Sequence, residues 1–259
     1  MGRIARLIFV LGWAAPFIGA LIIFTQPASA ATTSSTLLSA DANAEELAPE
    51  EKLGKAKEDL TKALVLSLKK VDSLKGRLNE LNFPALSREE ELKNEALHDL
   101  DEYAAYYNKT KGDLEKKDNL DEVKGLAKEV KEYRDTTYTP GVEKIIRFIL
   151  VFYNEDVLGV ANDRLGKIEA DVKKLDKLGV VEGGAFRGKL DEATNLLKEA
   201  AKLQGEAKKI ILGTASSTDS EREKKLSTKD MIEKSLNNVK TVYDIFLELN
   251  QNVKKALGL

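Results

Sequence analysis

Apolar positions along this chain recur at alternating steps of three and four. Leu60, Leu64, Val71, Leu74, Leu78 and Leu81 keep this rhythm, and Ser67 stands at the one step where an apolar side chain is missing. Such spacing places all of them on one stripe of an α-helix. The helix is expected to stop at Asn82-Phe83-Pro84, because the residue before a proline disfavours helical dihedrals. Ser87 with Glu90 three residues on has the form of a capping box and opens a second helix, with Ala96, Leu100, Tyr103 and Tyr107 inward. A shorter third helix is expected after Asp118 or Asn119, with Val123, Leu126, Val130 and Tyr133 inward, ending in Thr136-Thr137-Tyr138-Thr139-Pro140.

Thr139 then reads as an N-cap, with Pro140 at the first helical position where its missing N–H costs nothing. The fourth helix is expected to reach Leu178, about 40 residues and roughly 60 Å. Its second half carries the stripe Leu158, Ala161, Leu165, Ile168, Val172, Leu175 and Leu178, and Gly179 suits a C-cap. A fifth helix is expected over about Ala185–Leu212, with Phe186, Leu190, Ala193, Leu197, Ala200, Ala207 and Ile211 on one side. Gly213–Glu221 reads as a loop, and a last helix starts near Ser227 or Thr228 with Ile232, Leu236, Val239, Tyr243, Phe246, Val253 and Leu257 in register.

No convincing period-two segment occurs, and Pro49, Pro84 and Pro140 all fall at expected helix boundaries. Local stop signals and hydrophobic period therefore agree. The fold class predicted is all-α: an elongated antiparallel helical bundle or coiled-coil hairpins of about five to six helices over residues 49–259. The same stripes suit packing within one chain or between chains.

The first thirty residues follow a different rule. Arg3 and Arg6 precede an uncharged run from Leu7 to Phe24, and the small-residue triplet Ala28-Ser29-Ala30 follows Pro27. A basic start, an apolar core and an A-x-A site describe a secretory signal peptide, with Ala28 and Ala30 forming the site and cleavage after Ala30, ahead of Ala31. The rival reading is an uncleaved anchor, since the run would span about 27 Å as a helix. Residues 31–48, rich in Ala, Ser and Thr, read as a flexible tether. The remainder is exported in either case. It is expected in the periplasm, in the cell envelope or outside the cell, and is membrane-anchored if residues 7–24 are retained.

Composition narrows the chemistry. The chain of 259 residues has 41 Lys+Arg, 43 Asp+Glu, one histidine and no cysteine. Disulfides, thiolate metal sites and cysteine nucleophiles are thus excluded. Loss of residues 1–30 removes Arg3 and Arg6 and no acid, shifting the formal net charge from −2 to −4. No basic excess points to nucleic acid. Trp13 also lies in the leader, so the exported part has no tryptophan and must build its core from Leu, Ile, Val and Ala stripes.

The strongest local anomaly is Ile145, Ile146, Arg147, Phe148, Ile149, Leu150, Val151, Phe152 and Tyr153, apolar all round apart from the arginine. It reads either as a helix segment at the centre of the bundle or as a patch for a partner or a membrane. Asn154-Glu155-Asp156 interrupts it, and the apolar stripe shifts phase there, so a kink or a rotated seam is expected. Gly183 to Lys189 fits the letters G-x-x-x-x-G-K, but Leu190 stands where magnesium would need Ser or Thr and a helix precedes it, which suits a glycine-rich turn. His98 reads as a solvated surface histidine within reach of Asp101 or Glu102. Tyr103 and Tyr107 belong to a core stripe, with Tyr106 beside them. The carboxylate and lysine pairs read as solvated helix faces.

The function expected from these features is that of an exported, non-enzymatic helical-bundle protein. It would serve as a structural, scaffolding or adaptor protein in the envelope, through a protein partner or self-association. No cofactor, metal, nucleic acid or small-molecule substrate is expected. Two alternatives are a membrane-active protein inserting residues 145–153 and a periplasmic holdase cradling unfolded clients.

Overall fold

The computed structural model of the chain describes residues 48–214 and 227–258. Of these residues 88% are helical and none is in a strand. The elements are α1 (Pro49–Glu80), α2 (Arg88–Glu115), α3 (Leu120–Tyr133), a π-helical stretch (Arg134–Tyr138), α4 (Thr139–Lys177), α5 (Gly183–Ile211) and α6 (Thr228–Ala256). This is the all-α helical bundle that the stripes predict. The leader, its cleavage residues and the tether up to residue 47 lie outside the described residues. The described helices fall into two compact units, with the boundary between Ile149 and Leu150.

In the N-terminal unit α1 and α2 form an antiparallel hairpin. Lys93 Nζ donates to the Leu81 carbonyl, and further along Lys75 pairs with Asp101. Leu60, Leu64, Val71, Leu74, Leu78 and Leu81 are all buried, as their spacing requires. In the turn, Ser87 N–H donates to the Pro84 carbonyl at 3.1 Å and Leu86 takes a positive φ of 65° with its side chain fully exposed. That third turn position ordinarily favours glycine. Ser87 caps α2 by accepting from Glu90 N–H at 3.1 Å. The glutamate half of the expected capping box is spent elsewhere, on Lys93 at 2.9 Å. Asn119 caps α3, accepting from Glu122 N–H at 2.9 Å. This third helix runs antiparallel to α2, since Tyr106 meets Glu129 and Tyr103 meets Tyr138.

The expected stop at Thr136–Pro140 is corrected. The helix continues, and Thr139 is not an N-cap but lies in helical conformation at φ −64°, ψ −49°. Proline has no N–H, and its ring presses on the carbonyl four residues back in a regular helix. A wider turn accommodates both problems: Thr139 N–H donates to the Arg134 carbonyl, five residues back.

The C-terminal unit comprises α4 from Leu150 onward, α5 and α6. Glu155 pairs with Lys208, Glu199 with Lys234, and Glu248 with Lys189, so successive helices run antiparallel. Their seam is Leu158, Ala161, Leu165, Ile168, Val172 and Leu175 against Ala193, Leu197, Ala200, Val239, Phe246, Leu249 and Val253. Leu178, expected on the stripe, is instead exposed just past the end of α4. Gly179 at φ +67° closes that end, with Val180 N–H donating to the Leu175 carbonyl at 3.0 Å. Ser227 and Asp230 form a reciprocal capping box on α6.

The buried positions of α4 trace two stripes. Tyr138, Val142, Ile145, Ile149 and Phe152 follow one, and Phe148, Val151, Asn154, Leu158 and Ala161 follow another. They overlap at residues 148–152, which explains an apolar run with no polar side. The buried face of the helix thus changes over residues 148–152, ahead of Asn154-Glu155-Asp156, and no kink interrupts the helix there.

Candidate functional site

Five of the seven tyrosines gather around the π-helical stretch of the N-terminal unit. Tyr103 and Tyr107 come from the inward stripe of α2, with Tyr106 on its flank, and Tyr133 and Tyr138 bracket the π turn. In a regular helix, residues five apart differ by about 500° and face apart. The i→i−5 bonding of a π turn brings them back toward one side. The rings of Tyr103 and Tyr138 then meet edge-on at 5.5 Å, those of Tyr107 and Tyr138 at 5.2 Å, and those of Tyr107 and Tyr133 at 6.0 Å. Tyr106 and Tyr133 differ from the rest. Their rings stack face to face, with centroids 3.5 Å apart and planes 16° from parallel.

Two small residues make room for the cluster. Gly141, one turn into α4, lies directly under the Tyr103 hydroxyl, and an added Cβ would overlap that oxygen and stand 2.9 Å from Cζ. Ser67, the gap in the α1 stripe, lies beside the Tyr107 hydroxyl, and its own hydroxyl donates to the Ala63 carbonyl at 3.0 Å. Tyr107 is fully buried, so its phenol takes the space an apolar side chain at position 67 would need. The hydroxyls of Tyr107 and Tyr138 are buried without a hydrogen-bond partner among the described residues.

Burial sets the electrostatics here. Desolvation pushes the phenols of Tyr133 and Tyr138 up to about 12, and it raises Tyr107 further. Lys70 is pulled below the usual lysine range, first by desolvation and then by the Arg134 charge, with Glu143 opposing. These phenols therefore stay protonated through the neutral range. They can donate hydrogen bonds or give up single electrons, and they do not act as bases.

A second polar feature crosses the core of the C-terminal unit. Asn154 Nδ2 donates to Ser235 Oγ at 2.8 Å, and Ser235 Oγ donates to the Ala200 carbonyl at 2.9 Å. Gln204 Nε2 donates to the Val151 carbonyl at 2.7 Å. All three side chains are buried, and the remaining oxygens Asn154 Oδ1 and Gln204 Oε1 meet no donor.

The residues singled out in the sequence are dispersed. Of the apolar run, Ile145, Phe148, Ile149, Val151 and Phe152 are buried, and Ile146, Leu150 and Tyr153 are half-buried. Phe148 packs edge-on against Phe83 at 6.0 Å, and Lys208 lies over the Phe152 ring. For the run to enter a membrane or meet a partner, this packing would have to open. Ala28, Ala30 and Ala31 lie outside the described residues. His98 is exposed and stands 3.5 Å from Glu102. At the G-x-x-x-x-G-K letters, α5 starts at Gly183, whose N–H already donates to the Asp176 carboxylate at 2.8 Å, and Lys189 pairs with Glu248. A carboxylate in that place occupies the position a phosphate would need. Among the described residues no group of three or more acidic or histidine side chains could hold a metal ion, and no helix is long and apolar enough to cross a membrane.

Sequence reasoning found Tyr103, Tyr106, Tyr107 and Tyr133 as separate helix positions. It missed their union with Tyr138, because a helix end was read where the π turn lies. The signal lies in Tyr133 and Tyr138, five residues apart and both just ahead of Pro140, which the helix passes here by widening. No family model, curated protein or solved structure matches the chain. Its class rests on its own architecture, that of an all-α helical-bundle protein.

Proposed function

We propose that this is an exported, non-enzymatic protein that acts by binding other macromolecules, as a structural, scaffolding or adaptor component of the cell envelope. What supports this reading is a leader whose sequence reads as an export signal, followed by long helices with narrow apolar seams and mixed-charge outer faces. Ion pairs such as Lys62 with Glu58 and Arg88 with Glu91 run along those faces at helical spacing, giving a surface suited to reversible contacts. Leu86, strained and fully exposed at the tip of the α1–α2 turn, supports the same reading as an apolar point available to a partner.

Sedimentation of residues 31–259, combined with capture on the immobilised chain from envelope extracts, tests this directly. Self-association or a reproducible envelope partner supports the proposal. A monomer that retains nothing above a control surface overturns it.

A further inference from the structure

We propose that Tyr106 and Tyr133 form an oxidative cross-linking site, whose rings couple through their ortho carbons to a dityrosine that staples α2 to α3. The reason is their geometry. Aromatic pairs prefer edge-on or offset contacts with centroids at about 4.5–7 Å. Every other tyrosine contact in the cluster obeys this, whereas Tyr106 and Tyr133 lie face to face at 3.5 Å and 16°. Ring carbons of the two side chains are thereby held in contact before any reaction, which turns an encounter of two radicals into a step within one molecule.

Their placement selects them from the cluster. Tyr103, Tyr107 and Tyr138 are buried, but Tyr106 and Tyr133 are half-buried, open to water on one side. Oxidation of a phenol must expel its proton, so access to water favours this pair. The Tyr106 hydroxyl already points out of the core, 3.4 Å from the Glu129 carbonyl.

The co-reactant is a peroxidase-type one-electron oxidant fed by hydrogen peroxide. It takes one electron from each phenol while each hydroxyl proton leaves to water. The two phenoxyl radicals join by one carbon–carbon bond between the positions ortho to oxygen. The ring hydrogens at that bond then shift to the oxygens, restoring two phenols. Two tyrosines and one peroxide thus give one dityrosine and two waters. The link would close the loop from α2 through the α2–α3 turn to the end of α3, the constraint a disulfide would supply in a chain that has no cysteine. That oxidants reach the site in the cell rests on the exported location proposed above. The reaction on purified protein does not, so the two ideas fail separately.

The test exposes the purified full chain, at a dilution that disfavours contact between molecules, to peroxidase and hydrogen peroxide. Dityrosine fluorescence should rise within a monomer lighter by two hydrogens, and peptide mapping should join the Tyr106 peptide to the Tyr133 peptide. The thermal midpoint should rise with it. Tyr106→Phe, verified as helical by circular dichroism, should reduce the monomeric link to background, and Tyr243→Phe should leave it intact. Links found only between chains, a link through another pair, or an unchanged yield in Tyr106→Phe would overturn the proposal.

Discussion

Single residues around the tyrosine cluster carry constraints that their types alone do not show. Gly141 is glycine because the Tyr103 hydroxyl occupies the place of a side chain. Gly141→Ala is expected to cost about 1–3 kcal/mol by overpacking, despite the better helix propensity of alanine. Tyr103→Phe in the same background should restore part of that loss, because it removes the oxygen that clashes. Chemical denaturation of the two single variants and the double variant checks this, and simple additivity would contradict it. The phenols also predict a pH dependence. Burial pushes the Tyr138 and Tyr133 phenols up to about 12, from the ordinary phenol value of about 10. A group whose folded value is raised stabilises fully below its unfolded value and loses that contribution as pH climbs to the folded one. Stability should therefore fall between about pH 10 and pH 12, with phenolate absorbance appearing together with loss of helicity. Lys70, held below its ordinary value, works in the opposite sense and gains as pH rises, but it is one group against several. Phenolate formation well ahead of unfolding would contradict the burial described.

At the level of elements, most of the helical architecture was legible. Stripes at steps of three and four located all six helices, because each buries one narrow face and the period survives in the sequence. Ser87, Asn119 and Ser227 marked helix starts because a cap needs only local chemistry. What escaped was anything set by a partner across space. Pro140 has the local form of a boundary, yet a π turn carries the helix past it. Tyr138 was consequently separated from the tyrosines it packs against. The run at residues 145–153 looked anomalous only because two stripes overlap on α4, and a single stripe cannot reveal a second. The layer of Asn154, Ser235 and Gln204 was equally invisible, since its members lie on three helices. It provides an element-scale prediction. Ser235 both accepts from Asn154 and donates to Ala200, so Ser235→Ala leaves a buried amide donor and a carbonyl short of a partner. A loss of about 1–3 kcal/mol is expected, read from thermal or denaturant midpoints, although the residue removed is small. An unchanged midpoint would show that the layer does not hold the three helices.

Across the whole molecule, the proposed function joins a helical-bundle chain to a leader whose sequence reads as an export signal. The described helices fall into two compact units, and one continuous helix, without a stop signal, carries the chain from the first to the second. Neither unit has a disulfide, so each is held by apolar seams, caps and a few buried polar bonds. The acidic shift in net charge on loss of Arg3 and Arg6, and the absence of tryptophan beyond residue 30, follow from treating the leader as separate from the fold. The proposed binding role and the proposed oxidative staple are both placed outside the cytoplasm, so export is the claim on which the proposed function depends. The most direct measurement is the intact mass of the chain recovered from fractionated cells. The account predicts protein in the extracytoplasmic or membrane fraction, with a mass starting at Ala31 or, if the apolar run is retained as an anchor, the full-length mass in membranes. Full-length protein in the soluble cytoplasmic fraction would contradict it.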